Sequence, residues 1–570
     1  MKIRLSQNTI GLLLCVAMLM VLFPVCLINL TPPISRDALI HHLAIPKLWL
    51  NHGGFYEMPW AVYSYYPMNI DLLYLASLHF KNDIAPKFIH FAFGVGTGLL
   101  VYAYLKQRLN RNWGLLGLII FITTPIVIWL STSAYVDLGM TFFTTGSILC
   151  FVKWRDAGYN KLKWLIISSC CMGIALGSKY NALIVWFFLN LTVVYCYARD
   201  TQKQLPALKY GLIFLTITSI IASPWYIKNY VLTGNPFYPL FDKFFQLFQH
   251  EGGQGSTLGG LMQSSGIGFF QRRQIMYGES FWETLLIPIR MFFQGRDDTY
   301  QYFQGVLNPV LILFLPFSLM NKRFRKDNLF FIAFSAFFIT MAFFLTAKQV
   351  RYTLPVLPFL AILAAMGIEN IVTSLGLSML PPPQSDSKLH SLHPALLYTG
   401  LITIVAVAGI LLTLNFIYLK NRFAKIQPLR YIQNKESKAE FLSRHLRSYP
   451  ATEYINNHTT AEAKVFFMFV GRRGYYLDRT YYHDGIFGMK TLNEMVRASQ
   501  SEYDFLAYLQ SLGCTHILVR TSLFNKYLQD NFSRETILRL LGLIRQSWKL
   551  LYEFNGWAVY SIGELQQVDT

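Results

Sequence analysis

The sequence predicts a polytopic α-helical membrane protein that ends in a small α/β domain. Three observations carry this. The 570 residues are 53% hydrophobic and only 14% charged, against about 25% charged for a soluble chain. Mostly apolar runs of about 18 residues or more recur along the chain, each long enough to cross a bilayer as a helix. After about Asn421 the composition becomes that of a soluble domain. The net charge of +20 does not point to nucleic acid. The basic residues crowd the short loops between apolar runs, as orientation in a membrane requires, and no basic stripe or reading motif accompanies them.

The apolar runs place about eleven spans, at roughly 10–30, 86–105, 113–131, 136–152, 163–178, 181–198, 208–224, 304–320, 328–346, 353–373 and 395–419. The first run is too long for the core of a signal peptide and lacks a small-residue cleavage site, so it reads as a retained span. Lys106, Arg108 and Arg111 follow the second span, and Lys153, Arg155, Lys161 and Lys163 the fourth. Arg199, Lys203 and Lys209 follow the sixth, and Lys322, Arg323, Arg325 and Lys326 the eighth. One assignment satisfies every cluster: these loops and the N-terminus are cytoplasmic. The chain is then expected in the inner (cytoplasmic) membrane, with residues 31–85, 225–303 and everything after about 420 outside. Six of the seven cysteines fall in apolar runs, where they act as small hydrophobes. No disulfide framework or zinc pattern is present.

Residues 1–420 thus form the membrane domain, with two large outer loops. In the first, Asp37 to Asn51 has helical spacing, with Leu39, Leu43, Ile45, Leu48 and Trp49 on one side and Gly53-Gly54 ending it. It is too short to span and is expected along the interface, anchored by Trp49. A second short helix is expected from Met68 to Phe80. In the second loop, Gly234-Asn235-Pro236 signals a turn. Glu251 to Gly268, rich in Gly, Ser and Gln, reads as mobile, and Phe281 to Phe293 as interfacial. Residues 421–570 form the outer α/β domain, with strands expected at Lys464–Val470 and Thr515–Val519. Helices are expected at Leu492–Leu512 and Arg534–Trp548, and a hairpin closes around Asn555-Gly556.

Chemistry is expected in the first loop. Asp37 follows the first span by a few residues, at the level where a lipid headgroup presents its reactive atoms. On an α-helix it shares a face with His41, whereas His42 points elsewhere. A carboxylate there can take a proton from an acceptor hydroxyl or amine, with His41 orienting it; a plain helix N-cap is the alternative for Asp37. Asp137, at the outer end of the fourth span, is a second ionisable group at a costly position, or an acid stabilised by the helix dipole. Lys179, Lys228, Lys348 and Arg351 lie at outer helix ends against the positive-inside trend. They suit a lipid phosphate, or else snorkel to the interface. Trp60, Tyr63, Tyr65 and Tyr66 can wall a sugar ring or sit in an interfacial belt.

These residues match a family pattern. The stretches RDALIHHLAIPKLWLNHG, SAYVDLGMTFF, ALGSKYNAL, SPWYIKNYVLTGNPFYPLF and VRYTLPVLPFLA, followed by an outer domain with GYYLDR, resemble the C superfamily of membrane glycosyltransferases (GT-C). The bacterial branch related to protein O-mannosyltransferases and the lipid A aminoarabinose transferase is the nearest in pattern. The resemblance implies a polyprenyl-phosphate sugar donor, inversion at the anomeric carbon, and transfer to a lipid, glycan or protein acceptor on the outer face. It implies Asp37 as the first-loop acid, Asp137 as the second, and Arg351 and Lys179 as donor-phosphate ligands. Many relatives carry a second acid or a Tyr-His pair where this chain has Ile40-His41-His42. No cofactor is implied, and most of the superfamily requires no metal. A ligase of lipid-linked oligosaccharide remains open, as do a lipid-linked-substrate transporter and a binding scaffold. A transporter predicts broken spans in matched halves with charges at mid-membrane, whereas here the acids fall at span ends.

Overall fold

The computed structural model describes residues 7–246, 269–345, 347–374, 394–485 and 489–562. The Gly-rich stretch 251–268, expected to be mobile, lies outside the described residues. The chain divides into two compact units. One comprises Met1–Leu30, Tyr65–Leu73 and Ala85–Pro428, and the other Thr31–Ser64, Tyr74–Ile84 and Leu429–Thr570.

The first unit is a helical bundle. Among the described residues, six helices are long and apolar enough to cross a membrane: Gln7–Asn29, Ala85–Arg108, Ala182–Thr201, Gln204–Thr233, Arg325–Leu345 and the run Val350–Ser374. The segment expected as one span at 113–131 is instead two helices, Arg111–Thr123 and Pro125–Ser131, bent by 70°. Proline at the start of the second removes a backbone donor and forces Thr124 out of helical geometry. Residues 304–320, also expected to span, hold only the short turns Val310–Leu313 and Pro316–Leu319, each begun beside a proline. Leu162–Leu176 is a shorter apolar helix, and Asp137–Asp156 and Pro394–Ile426 complete the bundle.

Small and hydroxylated residues set the packing, as in lipid, where close backbone approach replaces the hydrophobic drive. Ser147 and Ser168 exchange hydroxyl-to-carbonyl hydrogen bonds of 2.8 Å each way between neighbouring helices. Gly367 meets the Phe314 carbonyl so closely that a Cβ would lie 2.0 Å from its oxygen. At one end of the bundle Asp327 accepts from Tyr104 at 2.8 Å and pairs with Arg108 at 2.9 Å and with Arg155. Three of the basic loops expected on one side of the membrane therefore meet at one end of the bundle.

The second unit is built on a five-stranded sheet. Its strands are β1 (Lys464–Met468), β2 (Thr480–Tyr482), β3 (His516–Arg520), β4 (Trp548–Phe554) and β5 (Trp557–Ile562), in spatial order β2-β1-β3-β5-β4. β1 runs parallel to β2 and β3, and the β4–β5 hairpin closes antiparallel on β3. Alternation in β1 and β3 serves two cores. Phe466, Met468, Ile517 and Val519 face the helices Met489–Ala498, Glu502–Ser511 and Arg534–Ser547. Val465, Phe467 and Leu518 face Ala451 and Ile455 of the helix Tyr449–His458. The expected helix 492–512 is two helices, split at Gln500–Ser501, where Ser501 caps the second by accepting from Asp504 N.

The first loop joins this sheet domain rather than the bundle. Leu48 and Trp60 pack on the second core. The Lys47 ammonium donates to the Tyr475 carbonyl at 2.8 Å, the Leu477 carbonyl at 3.1 Å and Asp478 at 2.7 Å. Tyr475 N donates to the Leu39 carbonyl at 3.2 Å, and the Tyr476 hydroxyl to the Pro33 carbonyl at 2.7 Å. Trp49, expected as an interfacial anchor, is buried instead, its ring 4.6 Å from that of Phe55. The GYYLDR stretch is thus a clasp for residues 33–47. Asp478 is exposed, so its ion pair contributes little by itself; the two carbonyl bonds to a charged donor matter more. Lys47→Met is expected to leave the sheet domain folded and to loosen residues 31–52, read as faster limited proteolysis in that stretch. An unchanged cleavage pattern would show that the apolar contacts alone hold the loop.

Candidate active site

In the first unit, three polar stretches separated in sequence converge on the start of the helix Asp137–Asp156. Asp137 is fully buried and accepts from the Lys179 ammonium at 2.7 Å. Arg351 is close enough to add to the field on its carboxylate. Lys179 and Arg351 flank one ring, lying 5.4 Å and 5.2 Å from the centre of Tyr352, and Arg351 also lies 5.4 Å from Tyr135. Asp137, Lys179 and Arg351 are therefore brought together as expected of a shared site.

Three further residues build this cluster, and sequence reasoning did not single them out. Asp71, at the start of the short helix Asp71–His79, is buried beside the same groups. Burial holds its carboxyl well above the usual carboxylate range; Lys179 opposes the shift and Asp137 adds to it. His90 fixes the helix start. Its Nε2 accepts from Leu138 N at 2.9 Å, which leaves the proton on Nδ1, within 2.9 Å and 2.8 Å of the Leu130 and Ser133 carbonyls. Asn69 pins the Lys179 turn. Its backbone N donates to the Gly177 carbonyl at 2.8 Å, and its side-chain oxygen accepts from Trp225 at 2.7 Å. A Cβ on Gly177 would lie 2.2 Å from the Asn69 amide nitrogen, so only glycine fits there. The signal for Asn69 and Asp71 was their place beside the Tyr65-Tyr66-Pro67 tract; a lone buried His such as His90 has no sequence signature.

The other expected cations lie elsewhere in this unit. The Lys228 ammonium sits 5.1 Å and 5.8 Å from the rings of Trp225 and Tyr65. Lys348 is buried and donates to Glu279 at 2.5 Å and to the Gln301 carbonyl at 2.6 Å, beside the Arg290–Glu279 pair at 2.9 Å. Tyr65 and Tyr66 pack on Tyr238 and Tyr180, and Asn229 holds the Tyr65 carbonyl at 2.8 Å. The cluster at Asp137 thus sets two cations, Lys179 and Arg351, and two buried carboxyls, Asp137 and Asp71, among aromatic rings.

In the second unit, Asp37 precedes a turn of π-helix, Ala38–His42, and its side chain makes no capping bond. The plain N-cap reading is therefore not realised. The α-helix starts only at Ala44 and ends at His52, where Gly53 adopts left-handed geometry. The wider π turn brings successive side chains closer than an α-helix would. His42, expected to point away, lies with its ring 4.0 Å from that of His41. His41 stacks on Tyr63 at 4.4 Å. Both histidines are buried.

The chain has the fold of the GT-C membrane glycosyltransferases. ArnT from Cupriavidus metallidurans in the apo state superposes with a TM-score of 0.53 at 13% identity, covering 96% of this chain and 97% of that one. The same protein bound to undecaprenyl phosphate gives 0.52 at 13% identity, with 98% of each chain covered. The archaeal oligosaccharyltransferase AglB from Archaeoglobus fulgidus, in complex with an inhibitory peptide and a dolichol-phosphate, gives 0.51 at 12% identity, covering 97% of this chain and 74% of that one. In sequence, the family described as dolichyl-phosphate-mannose-protein mannosyltransferase matches residues 54–245. No curated protein matches the sequence significantly. The resemblance expected from the motifs is thus supported independently by fold and by family profile.

The Asp137–Lys179 pair is expected to be strongly coupled. Lys179→Met strands a buried carboxylate and should destabilise the protein by about 3–5 kcal/mol. Adding Asp137→Asn should recover most of that loss. Thermal unfolding in detergent reads both; additive losses in the double variant would show that the pair is not a unit.

Proposed function

We propose that the chain is an inverting glycosyltransferase that moves a sugar from a polyprenyl-phosphate donor to a lipid, glycan or protein acceptor on the outer face of the cytoplasmic membrane. The observation that carries this is the convergence of Asp137, Lys179 and Arg351 at the start of one helix, where two cations lie beside a fully buried carboxylate. Ionisable groups buried in a helical bundle are costly and mark substrate sites, and cations grouped there suit a lipid phosphate. Support comes from the fold shared with an enzyme solved with undecaprenyl phosphate and from the mannosyltransferase family match.

In this reading the acceptor oxygen or nitrogen attacks the anomeric carbon as the bond to the donor phosphate breaks. Asp37 takes the acceptor proton. Lys179 and Arg351 stabilise the charge that develops on the departing phosphate, and Asp137 holds Lys179 in place. No nucleotide is involved, since the lipid phosphate is itself the leaving group. The N-terminus is cytoplasmic and the sheet domain faces outward.

Two measurements test this. Envelope glycolipids and glycoproteins are compared by mass spectrometry in a deletion strain, a wild-type rescue and an Asp37→Asn rescue. One glycan should lose a single sugar mass in the deletion, and only wild type should restore it; restoration by Asp37→Asn would remove Asp37 as the base. A tag at the C-terminus should be reachable from outside intact spheroplasts, and labelling only after lysis would invert the topology.

A further inference from the structure

The loop after β1 carries a buried cation that the reaction above does not use. Arg472 is 4% exposed. Among the described residues no carboxylate pairs with it. Its contacts are the Tyr63 ring, 5.0 Å away, and a long 3.4 Å bond to the Tyr63 hydroxyl. Its Nε is buried without an acceptor. Arginine is almost never fully buried without a partner, and a cation–π contact replaces only part of its lost hydration.

A second buried group points the same way. His483, just beyond β2, is 7% exposed, and its Nδ1 has no partner. Its ring lies edge-on to Trp60 at 5.1 Å. Burial, with Arg472 adding to it, pushes the imidazole down to about 3, so His483 is neutral at physiological pH and can donate from Nδ1 without adding charge. The adjacent Asp484 does not neutralise Arg472; one of its oxygens accepts from Thr491 N and the other has no partner. A buried guanidinium with an unused N–H, a neutral imidazole with an unused nitrogen and two aromatic rings are the chemistry that holds an oxyanion. Two of these groups come from the first loop and two from the sheet domain, which the Lys47 clasp holds together.

We propose that Arg472, with Trp60, Tyr63 and His483 around it, forms an oxyanion site in the second unit that takes the phosphate group of a phosphate-ester substrate. This group belongs either to a lipid phosphate or to a phosphorylated saccharide presented as acceptor. Neither the site nor its residues depend on the cation cluster of the first unit.

The test uses the full chain in detergent, carrying Arg351→Gln so that the first cluster does not dominate. Citronellyl phosphate, glucose 1-phosphate and glucose are titrated calorimetrically. At least one phosphate ester should bind and glucose should not. Arg472→Gln should weaken that ester at least tenfold, whereas Arg472→Lys should stay within a few-fold. Preference for the citronellyl ester assigns the site to a lipid phosphate, and preference for the sugar ester to a phosphorylated acceptor. Equal binding by Arg472→Gln, or no ester binding before that change, overturns the proposal and leaves Arg472 a packing residue. If Arg472→Gln fails to fold, His483→Gln serves instead: a several-fold loss supports the site and unchanged ester affinity overturns it.

Discussion

The end of the bundle where the Asp137 helix begins depends on one buried ion pair, Asp137 with Lys179. A carboxylate at the end of a bundle helix with no exposure is tolerable only if a cation meets it at hydrogen-bonding distance. Meeting that condition constrains its surroundings. Lys179 must sit in a tight turn, which needs glycine at 177 and Asn69 against it. Asn69 in turn is held by Trp225, and Asn229, one helical turn further on, holds Tyr65. The tract before Pro67, the SKYN turn and the SPWYIKNY helix are therefore parts of one support. His90 completes it from a fourth element by fixing where the Asp137 helix begins.

The same constraint sets the electrostatics. Lys179 serves Asp137, burial raises Asp71, and Arg351 adds positive charge beside the same aromatic ring. The result is a cluster of two cations and two buried carboxyls around one helix start. Lys348 solves its own burial differently, with Glu279 and a backbone carbonyl. The two lysines are alike in sequence, each at a helix end and each against the orientation trend, yet their partners give them different chemistry.

The second unit has its own organising contact in Lys47 and the GYYLDR turn. It ties residues that follow the first span to a domain that begins some four hundred positions later. Asp37 and His41 thus sit in a body built on the C-terminal sheet. This gives the sheet domain a structural part in placing the first loop.

Much of this was legible in the sequence. Long apolar runs register directly as helices, since lipid allows a spanning backbone few alternatives, and short apolar runs with the Asn555-Gly556 turn placed four of the five strands. Asp37, Asp137, Lys179 and Arg351 were visible because charge at the edge of an apolar run is expensive and so conspicuous. The breaks at Pro125 and in 304–320 were overlooked because hydropathy counts composition and is blind to a backbone bend. His90 and Arg472 were invisible for a different reason. Nothing nearby in sequence marks them, and what distinguishes them is burial among partners from distant elements, or, for Arg472, the lack of one. By itself the sequence determined the membrane class, the C-terminal sheet domain and which residues carry charge worth explaining, because those follow from local apolar pattern. Only the tertiary structure decided which lysine meets which acid and to which body the first loop belongs, because burial and pairing are properties of contacts the chain makes far from itself.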